Sequence, residues 1–282
     1  MRAILSFWGA ASFRGAASFY CAASFRGAAL AVTLALPWAL SAQTKSKTYE
    51  PSRLSDGKPD LNGIWNGPPV VNGDLQGAKV NGKRVIVDPA NGKIPYLPAT
   101  AAQVKKNFAE RKQLDPVNHC FMPGVPRLMY MPDPFMIVQT PGFVGILSQF
   151  MHEVRNIPVD GSKHLENIDL WQGDSRGSWD GDTFVVDTTD FNDKTWFDAA
   201  GNYHSDELHV VERFTRSGPT TITYEAAISD PKTFSRDWKI SLPLTLNTAK
   251  DAQILENECN YKMEGPTVTE GTRPDPHREA KN

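Results

Sequence analysis

The sequence predicts a mainly β protein, an antiparallel meander that closes into a barrel or packs as a sandwich, with one short helix near residues 98–114. Three observations predict it. From residue 133 onward, short runs of β-branched and aromatic residues recur between turn pairs such as Pro141-Gly142, Asp160-Gly161 and Asp180-Gly181. These runs leave almost no room for the helical crossovers that a parallel sheet requires. Proline supplies 21 of 282 residues, above its usual ~5%, which disfavours long helices.

Along the chain, residues 1–42 read as an export signal. They carry Arg2, Arg14 and Arg26 and no acid, then an apolar run from Ala28 to Leu40, then small residues at Ser41-Ala42. The run is short for a membrane span and Pro37 interrupts it, so no stable membrane insertion is expected. Three copies of one hexad (residues 10–15, 16–21 and 22–27) precede it. Inside a cleaved signal such a hexad has no packing partner, so a repeat fold is not expected. Cys21 follows the bulky Phe19-Tyr20, which argues against lipidation. Removing residues 1–42 moves the net charge from −2 to −5. The mature chain is then acidic, with no electrostatic reason to bind nucleic acid. It keeps two cysteines, Cys120 and Cys259, and in an oxidising compartment these are expected to form a disulfide.

Residues 43–60 are polar and read as an extended arm, and the β-rich domain is expected over 61–263. Gly63-Ile64-Trp65 opens the first strand, and 66–84 reads mostly as loop because it holds four glycines and two prolines. Val85–Val87 is a short strand. Pro98–Leu114 is the helix candidate, with Thr100 as its cap and Val104 and Phe108 on one face. Strands follow at Phe135–Gln139, Phe143–Phe150, Glu153–Val159, Ser178-Trp179, Thr183–Thr189, Leu208–Thr215, Thr220–Ser229, Trp238–Leu242 and Gln253–Cys259. Residues 264–282 read as a loose tail.

Two resemblances add to this. Gly63-Ile64-Trp65 resembles the Gly-x-Trp opening of lipocalin-like barrels. The segment Gly173-Asp174-Ser175-Arg176-Gly177-Ser178-Trp179-Asp180-Gly181-Asp182-Thr183, with Asp187-Thr188-Thr189-Asp190-Phe191-Asn192-Asp193, resembles a family of secreted proteins of environmental bacteria. Ser55–Trp65 is similar to that family's start, and Cys120 with Pro123–Arg127 to its middle. The resemblance covers about residues 52–260 and implies an exported address and a fold. It departs near the end, where Cys259-Asn260-Tyr261 stands in place of Cys-His-Glu, so no role for a histidine carries over.

Several residues qualify for chemistry. Asp190, Asn192, Asp193 and Lys194 end a strand, where a scaffold presents functional side chains, and Asp193 beside Lys194 makes a potential acid–base pair. If consecutive strands pair antiparallel, His204 and His209 join them at one rim, near Trp196. His152 begins another strand. Alternation places His209, Val211 and Arg213 on one face, and Glu225 lies on the next strand. Those polar side chains either line a cavity with the histidine or face water. Trp171, Trp179 and Trp196 offer flat apolar walls, and Arg176 or Arg213 could steady developing negative charge.

Gly173-Asp174-Ser175 with Asp206-x-x-His209 resembles the motif pair of Gly-Asp-Ser hydrolases, but hairpins replace the parallel sheet such enzymes need. Asp190-x-Asn192-x-Lys194 fails as a calcium loop because Lys194 takes a ligand position. No histidine pair has metal-ligand spacing, and no phosphate loop or haem motif occurs, so neither metal nor cofactor is expected. The expected function is an exported enzyme using His/Asp acid–base chemistry, a lyase, isomerase or hydrolase, on a small sugar or aromatic metabolite. The alternative is a periplasmic lipocalin-like binding module that holds an apolar ligand without changing it. The cavity wall separates the two: a binder needs an apolar lining, an acid–base enzyme a convergent His/Asp/Arg cluster.

Overall fold

The computed structural model describes residues 49–70 and 72–257. The expected export signal at 1–42, Cys259 and the expected tail at 264–282 lie outside them. The short apolar runs become the strands β1 (Gly63–Asn66), β2 (Lys79–Val80), β3 (Lys83–Arg84), β4 (Ile86–Asp88), β5 (Phe135–Thr140) and β6 (Phe143–Ser148). They continue as β7 (Val154–Pro158), β8 (Asp174–Asp180), β9 (Thr183–Thr189), β10 (His209–Gly218), β11 (Thr221–Ser229) and β12 (Trp238–Leu246). β2 and β3 form a separate small ribbon within the expected loop.

The main sheet runs β7-β6-β5-β1-β12-β11-β10-β9-β8, with β4 also on β12. Each neighbouring pair along this path is antiparallel. It curls into a nearly closed barrel, as the short strands and tight turns predict. The path from β7 to β8 holds an odd number of alternating strands, so its two end strands point the same way. They lie side by side, but no ladder joins them. That seam is where the barrel stays open.

Tight turns close one end of the barrel. The Asp180-Gly181 turn joins β8 to β9, with Gly181 at φ +58°, the left-handed conformation this position calls for. The connections 67–134, 149–153, 190–208 and 230–237 gather at the other end, and 159–173 runs between the two ends from β7 to β8. Large side chains fill the interior, with Trp65, Trp238, Tyr130, Tyr224, Phe135, Phe184 and Phe214 fully buried. Trp238 meets Phe197 and Phe234 edge-on at 5.3 and 5.6 Å beneath those connections.

Four details correct the sequence reading. The helix divides at Glu110 into α1 (Pro98–Ala109) and α2 (Arg111–Leu114). Its N-cap is Leu97, while the Thr100 hydroxyl donates back to the carbonyls of Leu97 and Thr233. α1 does not dock through a Val104/Phe108 stripe: Phe108 is half exposed, and Asn107 is buried and donates to the Gly201 carbonyl at 3.1 Å. Residues 253–257 form no strand. In the described part of the arm, Arg53 bridges Pro59 across a turn and its guanidinium grips Asp182 with two bonds of 2.7 Å. No helix among the described residues is long and apolar enough to cross a membrane.

Candidate functional site at the barrel seam

Alternation along β10 sends Val210, Glu212 and Phe214 into the barrel and His209, Val211 and Arg213 outward. Glu212 is therefore a carboxylate set among apolar residues, and it is fully buried. A buried charge persists only with partners. Arg155 of β7 supplies them across the seam. Its Nη2 donates to the Glu212 carboxylate and, at 2.8 Å, to the Thr188 hydroxyl of β9. Its Nε donates to the Ser175 hydroxyl of β8 at 3.0 Å. The Tyr224 hydroxyl of β11 donates to Glu212 Oε1 at 2.8 Å. Burial, then Glu212, raises the Tyr224 phenol well above its usual range, which keeps it a donor. Side chains thus tie together the two strands that share no ladder.

One arm of this network lacks a partner. Nη1 of Arg155 is buried and has no hydrogen-bond partner among the described residues. A buried donor left unmade costs about 1–3 kcal/mol. Two residues earlier on the same inward face is Glu153, 3% exposed, whose two carboxyl oxygens likewise have no partner among the described residues. Burial pushes its pKa up to about 8 against the pull of Arg155, so the carboxyl is mostly neutral at pH 7. Met151 and His152, at φ +60° and +50°, make the left-handed turn that leads into Glu153. Such backbone costs energy in non-glycine residues.

Over the seam opens a cavity of about 330 Å³, within the range of small-molecule sites. Arg155, Ser175 and Asp174 contribute polar surface, and Met122, Val154 and Trp171 apolar surface. Trp171 stacks on Phe121 at 4.8 Å and 11° between planes. Gly173 brings this wall close to β9. Its φ is +66°, and a Cβ there would sit 2.5 Å from the Thr189 carbonyl.

A second polar group borders the cavity. His164 reaches Asp174 at 3.1 Å through Nδ1 and Asp187 at 3.2 Å through Nε2, and His209 reaches the same Asp187 oxygen at 3.0 Å. Asp190, at φ +58°, completes with His164 and Asp174 a set of ligand atoms within 4.8 Å of one another, which could hold a cation. Arg176 already occupies the other oxygen of Asp174 at 2.7 Å, and the Leu165 amide donates to Oδ2.

The expected site residues fall into three groups. Asp190 and Asn192 pair through their backbone with Leu170, the neighbour of Trp171 in the cavity wall, and Arg176 bonds Asp174 on β8. His209, Arg213 and Glu225 lie on the outer surface: His209 pairs with Asp187, and Arg213 with Asp180 at 2.6 Å. Asp193 and Lys194 form an exposed pair at 2.6 Å. The rest have structural neighbours. His204 is buried between Phe191 and Phe197, bonds Thr195 at 2.7 Å, and burial lowers its pKa. Trp196 is buried and bridges Tyr203, and Trp179 packs on Phe184. His152 accepts from the Asn257 amide at 3.3 Å. Cys120 ends a 3-10 turn in left-handed conformation, and its expected partner Cys259 lies outside the described residues. Ser175 bonds Arg155 inside the barrel while His209 faces out, so these two make no Ser–His pair.

Sequence reasoning passed over Arg155, Glu153, Glu212, Thr188 and Tyr224. The signal was parity: Arg155 shares a face with Ile157, Glu212 with Val210 and Phe214, and Tyr224 with Ile222 and Ile228. A charge at an apolar position of an alternating strand marks a buried polar site. Compared with family models, with curated proteins and with solved structures, the chain matches none.

Proposed function

We propose that this chain is an exported binding module that holds a small ligand in the seam cavity and releases it unchanged. One observation carries the reading. The ionised groups that line the cavity, Arg155 and Asp174, are each committed to an ion pair, with Glu212 and Arg176, while Trp171, Met122 and Val154 offer open apolar wall. That is a surface for holding a molecule rather than for moving its protons. Export and the Cys120–Cys259 bridge belong to the same reading. Intact-mass measurement of the mature, non-reduced protein after alkylation should find no labelled thiol.

Glu153 favours a second reading. A carboxyl kept neutral near pH 7 beside an arginine is the raw material of general acid catalysis. The test is ligand-observed NMR in D₂O with a mixture of small aromatic and aliphatic fragments. Line broadening of bound fragments that come back without deuterium supports the binding module. Deuterium incorporation that disappears in Glu153→Gln moves the function to acid–base catalysis.

A further inference from the structure

We infer a zinc site at the rim of the seam, formed by His164, Asp174 and Asp190. It stands independently of what the cavity itself holds.

The three residues come from separate segments, so their spacing in the sequence forms no motif. Asp174 opens β8 and pairs with Thr189, the last residue of β9, and this antiparallel register delivers Asp190 to the same place. His164 arrives on the connection between β7 and β8, which is clamped on both sides of it. Arg176 Nε donates to the Lys163 carbonyl at 2.8 Å, and the Leu165 amide donates to Asp174 Oδ2 at 2.9 Å. One ligand atom from each of the three residues lies within 4.8 Å of the other two. Ligands of one zinc ion stand about 3–3.5 Å apart at bonds of about 2.0–2.2 Å, so side-chain rotations of about an ångström close the set. His164 Nδ1 and Asp174 Oδ2 are already 3.1 Å apart.

The tautomer of His164 is a second observation that points to an ion. Its Nε2 faces Asp187 Oδ1 at 3.2 Å, and a carboxylate there keeps the ring proton on Nε2. The lone pair of Nδ1 then faces a carboxylate oxygen of Asp174, which is repulsive unless a cation lies between them. An imidazole with one nitrogen toward a metal and the other on a carboxylate is how proteins orient a zinc-bound histidine. The ligating carboxylates are held as well. Arg176 takes the far oxygen of Asp174 at 2.7 Å, and the Thr189 hydroxyl donates to Asp190 Oδ2 at 2.7 Å.

The charges agree. With neutral imidazoles, Asp174, Asp187 and Asp190 set three negative charges against the single positive charge of Arg176. A divalent ion fills that deficit. One imidazole and two carboxylates suit zinc, and three protein ligands leave a fourth position for water or a ligand. Asp174 is 6% exposed and also lines the cavity, so the ion stands beside it.

The experiment titrates Zn²⁺ calorimetrically into the mature protein, stripped by a chelator, at pH 7, with metal content after dialysis read by mass spectrometry. The wild type should bind about one zinc ion per chain. His164→Gln and Asp190→Asn should each lose it. Asparagine tolerates the left-handed backbone at 190, so Asp190→Asn removes the charge and keeps the turn. Asp187→Ala keeps the three ligands but removes the group that orients His164, and should weaken binding by about 10–100-fold. His209→Ala should bind as the wild type does. Unchanged circular dichroism of each variant separates loss of the ion from loss of the fold. Absence of saturable zinc binding in the wild type overturns the site, leaving a protonated imidazole between the carboxylates. Zinc retained in either His164→Gln or Asp190→Asn, or lost in His209→Ala, places the ion elsewhere and overturns it too.

Discussion

Arg155 donates to the Ser175 hydroxyl at 3.0 Å across two parallel-running strands that share no ladder hydrogen bond. An alternating path of odd length cannot close on itself antiparallel, and here side chains replace the missing ladder. The same substitution leaves a gap wide enough for a ligand.

The first prediction concerns that tie. Arg155→Met alone, or Glu212→Met alone, strands a buried charge and should cost about 3–5 kcal/mol. The paired variant should recover most of the loss. Urea denaturation of all three, read by circular dichroism, checks this. Additive losses in the paired variant would mean that the two side chains act independently.

Glu153 predicts a pH dependence. Its pKa is raised from 4.5 in the unfolded chain to about 8 in the fold, so the folded state binds the proton more tightly. Stability should therefore fall as pH rises from about 4.5 to about 8, by roughly 5 kcal/mol if the whole shift is expressed. Asp198 adds the same sign between 3.8 and about 6, because burial raises it despite bonds from Leu75 and Asn202. Glu153→Gln should flatten the alkaline part of the curve and leave the acid part. Denaturation midpoints from pH 4 to 9 test it, and superimposable profiles for the two proteins would contradict the assignment.

Neighbouring residues of β10 should behave oppositely. Phe214→Ala empties a fully buried site and should cost about 3–5 kcal/mol. His209→Ala removes a half-exposed partner of Asp187 and should cost under ~1 kcal/mol. Comparable losses at both positions would mean that the alternation is misassigned.

Gly173 should tolerate no side chain. Gly173→Ala forces a Cβ toward the Thr189 carbonyl in a left-handed backbone, so the wall carrying Trp171 must shift. A changed Trp171 indole resonance with a lowered melting temperature is the expected outcome, and an unchanged spectrum would oppose it.

Much of the barrel was legible because the strands are short, their turns carry Asp-Gly or Pro-Gly, and alternation is regular along β9 to β12. The site was legible only in part. Trp171, Arg176 and Asp190 stand out as chemistry-bearing residues, and each lies near Asp174, in the cavity lining, by an ion pair or in the cluster of ligand atoms. The histidines drew attention because imidazole titrates near neutral pH, yet packing puts His204 in the core and His209 on the outside. Which face of a strand turns inward is decided by its partners, and in five-residue β7 one period-2 pattern fits either way. The seam itself has no local signal, since it arises from the number of strands in the closed path.

The most direct test is to fill the cavity. Val154 is exposed on the outer face of β7 and lines the seam, so Val154→Trp should occupy the space without disturbing the core. A fragment screen by NMR on wild type and Val154→Trp should find hits that shift the Trp171 indole signal in the wild type and vanish in the variant. Hits that persist unchanged in Val154→Trp, or that leave the Trp171 indole untouched, would contradict a ligand site at the seam.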